Sequence, residues 1–508
     1  MVVQVSGRPA AAAVFPGVTW QTRTPAEVGL DAAKLASYRN AASPNGPGVI
    51  IRGGYLVYSW GDASARGDWA SAMKPVMSTL LFFAVHEGRL AGVDAKVRDW
   101  GWALQSKDRE MTFAHLANMT SGYALPEAPG AAWGYNDYAI TLYSKTLFDR
   151  VFAQAANDVA AAPNRLGPLQ LQDGSFFGSR SGRGVDASPR DFARIGWFWL
   201  NRGNWRGAQL LPQRFFDDYV KSQVPASLPR TTGTDSNIND YLGVGSIGGG
   251  VNQCAEGPGR YGFNWWFGGD VLTAAPPDLF IAEGHGGREH MTIIPSQSLV
   301  VAYRGGQPNT GLNGYLRLLM EAVVRPWDET PPTPPVIQSA VVEGVTSVLL
   351  TWAPATDPES GVDGYLVYRD GALVATTAAT SLAEDELEES TTYSYAVSAK
   401  NGAGIEGPRS SAVTVRTSTP SPEEPEPHDG APGDSGGTDA ASPGDPGPVS
   451  TDGGGADSVT AGGPGPSSGQ PRPEPAVLVG GCNAGGAVSL APLAALLVFG
   501  RRRSPAAH

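Results

Sequence analysis

Ser71-Ala72-Met73-Lys74 places a hydroxyl and an amine three residues apart, a spacing that brings both to one face at the start of a helix. A serine becomes a nucleophile when a base lies within hydrogen-bond reach. A lysine at i+3 supplies that base, and the helix dipole favours the developing negative charge. This is the sole Ser-x-x-Lys in the chain. A lysine with an ordinary pKa near 10.4 is neutral about once in 2,500 at pH 7, a penalty of about 4.6 kcal/mol, so the site must desolvate the amine or share its proton. Tyr135, in the Pro- and Gly-rich stretch PGAAWGYNDY, is placed to relay the proton, with the Lys74 ammonium expected to lower its pKa. Gly284-His285-Gly286-Gly287 precedes an apolar strand pattern, and its glycines let a substrate lie along the strand edge with backbone N–H groups free for an oxyanion.

The elements that must hold these groups follow from patterning. Val76, Leu80, Phe83 and Ala84 recur at three- and four-residue steps, and Pro75 fits only a first turn, so the helix is expected to start near Ser71. Apolar runs at 49–51 and 55–58 flank Gly53-Gly54 as a hairpin, and runs at 290–294 and 299–303 flank PSQS as another. Helices are expected over 112–118, from an N-cap at Ser188 to near Gly203, and over 312–324. Early and late strands most economically share one antiparallel sheet with a helical insertion. His285, Glu289 and His290 lack the His-x-x-x-His spacing of a helical zinc site, so no metal is expected. His86 and His115 read as structural. Cys254 lies in a Gly-rich loop with no base nearby, and its distance in sequence from Cys482 argues against a structural disulfide.

The 508 residues include 66 Gly and 42 Pro, too many for a chain folded throughout. The net charge of −12 is uneven: residues 418–476 hold ten acids and one Arg, residues 330–417 eleven acids and four bases, and residues 1–329 are nearly balanced at +1. The bulk acidity therefore says nothing about the ligand of the first part, and no basic stripe with interleaved aromatics suggests nucleic acid. Twelve of 13 Trp lie before residue 330, which marks where a large core can be built.

Residues 330–417 open with PPTPP and then show short alternating runs at 347–352, 364–368, 391–399 and 412–416, separated by turns such as Asp357-Pro358 and Asp370-Gly371. This reads as an all-β sandwich. Residues 418–476 alternate Pro, Gly, Ser and Asp without periodicity and read as a disordered linker, about 40–45 Å long as a flexible coil. Residues 476–500 carry no charge and are followed by Arg501, Arg502 and Arg503, a pattern expected of one transmembrane segment. The N-terminus lacks the basic start and unbroken apolar run of a signal peptide.

The three motifs, in this order, resemble the serine β-lactamase and penicillin-binding protein superfamily, closest to its class C, esterase and D-aminopeptidase branch. MTFAHLANMTSGY at 111–123, SPRDFARIGWFWLNRGNW at 188–205, YGFNWW at 261–266 and HGGREHMTIIPSQSLVVAYRGG at 285–306 add to the match, which spans roughly 20–326. The resemblance implies an α+β domain with an antiparallel sheet flanked by helices and a helical subdomain. It makes Ser71 the acylated nucleophile and Lys74 with Tyr135 the base system. His285, Gly286 and Gly287 then stand for Lys-Thr-Gly, and the backbone N–H groups of Ser71 and Arg288 form the oxyanion hole. Asp137 ends the Tyr-x-Asn motif at the substrate side and cannot donate as an amide would. His285 replaces a fixed positive charge that would anchor a β-lactam carboxylate. Both departures favour esters or amides without that carboxylate. Trp352, DGYLVYRDG and TTYSYAVSAKNGAG resemble a fibronectin type III domain across 330–417. Gly-Gly-Cys482, the apolar run and the Arg cluster over 477–508 resemble the C-terminal sorting tail of myxobacterial surface proteins, with Cys482 as the processing point.

The expectation is thus an exported serine hydrolase, anchored at the membrane or surface by its C-terminal segment and open to sorting machinery. It would need no cofactor, bind no nucleic acid, and act on a small ester, amide or peptide. The alternatives are a β-lactamase or D-alanyl-D-alanine carboxypeptidase, and a non-catalytic cell-surface binding module.

Overall fold

The computed structural model describes residues 14–419 apart from 252, 253, 255, 309, 310, 329 and 359. The apolar runs pair as their alternation requires. β1 (Gly48–Arg52) and β2 (Tyr55–Trp60) form the first hairpin. Next come β3 (Gly67–Asp68), β4 (Phe177–Ser179) and β5 (Gly184–Ala187) in a small separate sheet, and the two-residue pair β6 (Asn204–Trp205) and β7 (Ala208–Gln209). β8 (Tyr261–Gly262), β9 (Trp265–Phe267), β10 (Phe280–Gly284), β11 (Glu289–Ile294) and β12 (Leu299–Tyr303) complete the main sheet in the order β2-β1-β12-β11-β10-β9-β8. β1 pairs antiparallel with β12, Ile50 opposite Val301, so early and late strands do share one sheet.

Every residue of β1, β10 and β12 is buried, the pattern of strands covered on both faces. The helices are α1 (Ala32–Ala42), α2 (Lys74–His86), α3 (Phe113–Ala117), α4 (Asp137–Ser144), α5 (Ala156–Ala161), α6 (Pro189–Leu200), α7 (Arg214–Tyr219) and α8 (Leu312–Glu321). α1 packs on α8, and α6 packs on β1, β11 and β12. A Cβ on Gly196 of α6 would sit 2.5 Å from Met291 Sδ, so this helix approaches the sheet as closely as a bare backbone allows. α2 is buried from Lys74 to Ala84, as expected of a helix apolar on most sides. Thr112 and His115 form a reciprocal cap on α3, which gives His115 a structural task. Ser188 Oγ accepts from Asp191 N at 3.2 Å and caps α6.

The helical run opens near Ser71, as expected, and becomes α-helical at Lys74. Ser71 lies in a tighter 3-10 turn, Ala70–Met73, which Ala70 enters with φ +46°, a left-handed conformation that costs a non-glycine residue roughly 1 kcal/mol or more.

The second domain is a two-sheet sandwich with its own core. β13 (Val336–Val342), β14 (Val348–Ala353) and β17 (Ser381–Glu384) form one sheet, and β16 (Ala372–Thr377), β15 (Val362–Arg369), β18 (Thr392–Asn401) and β19 (Val413–Arg416) the other. Trp352 meets Tyr365 edge-on at 5.5 Å at its centre. The expected linker beyond 419, transmembrane segment and Cys482 lie outside the described residues. Among the described residues no helix is long and apolar enough to cross a membrane. Cys254 is buried.

Candidate active site

Three pieces of chain converge on Ser71. The turn Ala70–Met73 and the first residue of α2 present Ser71 and Lys74; the loop into α4 presents Tyr135 and Asp137; the end of β10 presents His285. Asn136 sets the second piece. Its Oδ1 caps α4 by accepting from Tyr138 N (3.0 Å) and Ala139 N (3.1 Å), and its Nδ2 donates to Tyr123 O at 2.6 Å. Tyr135 and Asp137 are held on either side of that cap. A carboxylate in the first turn also suits the helix dipole.

Lys74 Nζ donates to Ser71 Oγ at 2.6 Å and to Tyr135 OH at 2.6 Å. It also forms an ion pair with Asp137 Oδ1 at 2.8 Å, aligned off the ideal hydrogen-bond direction. Lys74 is 1% exposed, Tyr135 3% and Asp137 6%, so these contacts form in a poorly hydrated site. Burial pushes the Tyr135 phenol well above its ordinary pKa and the charges of Asp137 and Glu283 raise it further, while Ser71 and Arg180 act the other way. The expected lowering by Lys74 is therefore overturned. The phenol is walled by Trp133, Tyr261 and Trp266, with the Trp266 ring stacked at 6.2 Å, and the lysine's charge is matched by Asp137. Tyr135 is held as a neutral phenol.

His285 has φ +43° and a half-exposed side chain whose Nδ1 lies 2.8 Å from Glu289 Oε2. It lines the same cleft as Ser71, Lys74 and Asp137. Gly284 explains how β10 reaches the nucleophile: a Cβ there would lie 3.0 Å from Ser71 N and 2.9 Å from Trp69 O. Gly286, Gly287 and Arg288 complete the turn into β11, closed by Gly287 N donating to Gly284 O at 3.0 Å. Arg288 is not among the residues that line the cleft.

Sequence reasoning missed Arg180 and its neighbours. Arg180, in the turn between β4 and β5, donates through Nε to Asp68 Oδ2 at 2.9 Å and through Nη1 to Ile247 O at 2.8 Å, and it lines the cleft with Ile247, Gly248 and Gly249. Gly248-Gly249-Gly250 could be read as a loop, but nothing in the pattern placed it over Ser71. Asp137 N donates to Gly250 O at 3.1 Å, which ties that loop to the site.

The model of the β-lactamase family matches residues 48–304. The chain belongs to this family. The fibronectin type III domain model matches residues 332–416. Among solved structures, a β-lactamase from Mycobacterium bovis is 16% identical, covering 57% of this chain and 96% of that one, with a TM-score of 0.39. A fibronectin type III domain of human fibronectin type III domain containing protein 3 is 21% identical, covering 20% of this chain and 98% of that one, with a TM-score of 0.16. Chitinase 63 of Streptomyces plicatus is 35% identical over 144 residues, 28% of this chain and 23% of that protein. Chitinase D of Niallia circulans is 42% identical over 124 residues, 22% and 24% respectively. The chain thus spans about a quarter of the length of these curated relatives, and the likeness falls on the fibronectin region.

Proposed function

We propose that this β-lactamase family member is a hydrolase that works through an acyl-enzyme on Ser71 and acts on an ester or amide. The observation that carries the reading is the buried contact of Lys74 Nζ with both Ser71 Oγ and Tyr135 OH at 2.6 Å. Ser71 Oγ attacks the carbonyl carbon as its proton passes to the lysine. The oxyanion is held by the backbone N–H of Ser71 and the turn that follows Gly284. The leaving group departs with a proton from Lys74 and Tyr135, and water then releases the acyl group by the same path in reverse.

The electrostatics of the cleft support a substrate without a carboxylate. Each fixed cation that lines it faces an acid, Lys74 against Asp137 and Arg180 against Asp68, and His285 Nδ1 lies against Glu289. A β-lactam carboxylate would meet charges already matched. We read the protein as exported, a reading supported by the uncharged 476–500 run and the three arginines after it.

Pre-steady-state release of p-nitrophenol from a short acyl ester tests the acyl-enzyme. A stoichiometric burst lost in Ser71→Ala is expected; unchanged hydrolysis in that variant would refute the role of Ser71. Turnover of the ester should exceed that of a chromogenic cephalosporin. His285→Ala is expected to alter the pH–rate profile, and a profile identical to the parent's would remove His285 from the chemistry.

A further inference from the structure

Asp137 stands where the superfamily pattern carries an asparagine, and its carboxylate rests on the lysine. An ammonium has three N–H donors, and Lys74 Nζ has three oxygen neighbours: Ser71 Oγ and Tyr135 OH, hydrogen-bonded at 2.6 Å, and Asp137 Oδ1, an ion-pair contact at 2.8 Å off the hydrogen-bond direction. A lysine in that state has no lone pair with which to receive the serine proton, so one of its own protons must leave first. Ser71 is the group to be deprotonated. Tyr135 is a neutral phenol, already carrying its proton. The carboxylate is the acceptor that remains.

We propose that Asp137 is the terminal proton acceptor when Ser71 is activated. The inference rests on the acyl-enzyme reading above. Ser71 Oγ–H passes its proton to Lys74 Nζ while Lys74 passes one to Asp137 Oδ1. The Oγ–carbonyl bond forms, and as the bond to the leaving group breaks, the proton returns from Asp137 through Lys74 to that group. Acyl donor and serine become acyl-serine and protonated leaving group, and the aspartate ends as it began. An amide at this position could accept a hydrogen bond but could not hold the proton.

The test is the pH dependence of the burst rate in Asp137→Asn and Asp137→Glu. The charged and titratable groups around the carboxylate are Lys74 at the head of α2, Tyr135 in the preceding loop, Tyr261 on β8, Glu283 and His285 at the end of β10, and Arg180 in the β4–β5 turn. The substitutions leave all of them in place. In the parent the carboxylate takes the proton; in Asp137→Asn the amine must become neutral unaided. The burst at pH 7 should therefore fall at least about tenfold, and the acid limb should move to higher pH. Asp137→Glu, which restores a carboxylate, should return the limb toward its parental position. An Asp137→Asn burst as fast as the parent's, or an unmoved limb in a variant that melts normally, would reduce Asp137 to an ion-pair partner. A parent without any burst, or a burst that survives Ser71→Ala, would instead bring down the underlying reading.

Discussion

Two buried aspartate–cation pairs of the hydrolase domain are built differently. Asp191 and Arg194 on α6 lie 3.7 Å apart with almost no exposure. Arg194 donates to the carbonyls of Gly17, Val18 and Leu169 and to Gln172 Oε1, and Asp191 accepts from the backbone N–H groups of Gln172 and Asp173. Burial raises the Asp191 carboxyl and brings Arg194 down to about 10, yet the backbone amides and carbonyls around them do not ionise and so relay no proton. Lys74 and Asp137 are surrounded instead by a hydroxyl and a phenol. Burial alone therefore does not mark a reactive site; what distinguishes one pair from the other is whether its neighbours can pass a proton.

Substitutions can break that contrast. Ser71→Ala should lower acylation by about a thousandfold or more while the melting temperature holds. Arg194→Ala should do the converse: it leaves Asp191 buried without its partner, at a cost of about 3–5 kcal/mol, and acylation per folded molecule should persist. Thermal melts beside burst amplitudes check both, and an Arg194→Ala protein that melts normally but cannot acylate would erase the distinction. Tyr135→Phe should slow the burst about a hundredfold with little loss of stability, since the ring packing against Trp133, Tyr261 and Trp266 remains. A burst at the parental rate would remove the phenol from the proton path.

Much of this was legible in the residue pattern. Paired apolar runs around Gly53-Gly54 and PSQS foretold the hairpins whose outer partners close the sheet, and Ser188 marked the cap of α6. Ser71, Lys74 and Tyr135 could be picked out by type and order. What pattern could not carry was direction. That Asp137 points at Lys74 depends on Asn136 capping α4, and that Arg180 reaches the cleft depends on Asp68, more than a hundred residues earlier, holding its guanidinium. The Tyr135 expectation failed because sequence shows the nearby lysine but not the aromatic wall that keeps water out.

His285 and His290 bracket one turn and sharpen the comparison on a smaller scale. His285 is half-exposed against Glu289, whereas His290 is fully buried, stacked on Tyr303 at 5.2 Å and bonded through Nε2 to Thr292 Oγ1 at 2.7 Å. Burial lowers the His290 pKa to about 3. The unfolded chain binds this proton below about pH 6.5, while the folded protein refuses it until about pH 3. Between those values the unfolded state holds more protons, so stability rises with pH across this window and is lost as pH falls from about 6.5 toward 3, by up to about 1.4 kcal/mol per unit. His290→Phe keeps a ring against Tyr303 and deletes the titrating group. Urea midpoints at pH 4 and pH 7 should therefore differ less in this variant than in the parent, even if it is somewhat less stable at both. An equal difference would mean that other groups govern the acid loss and that the histidine inside the sheet, unlike the one on the cleft wall, only fills space.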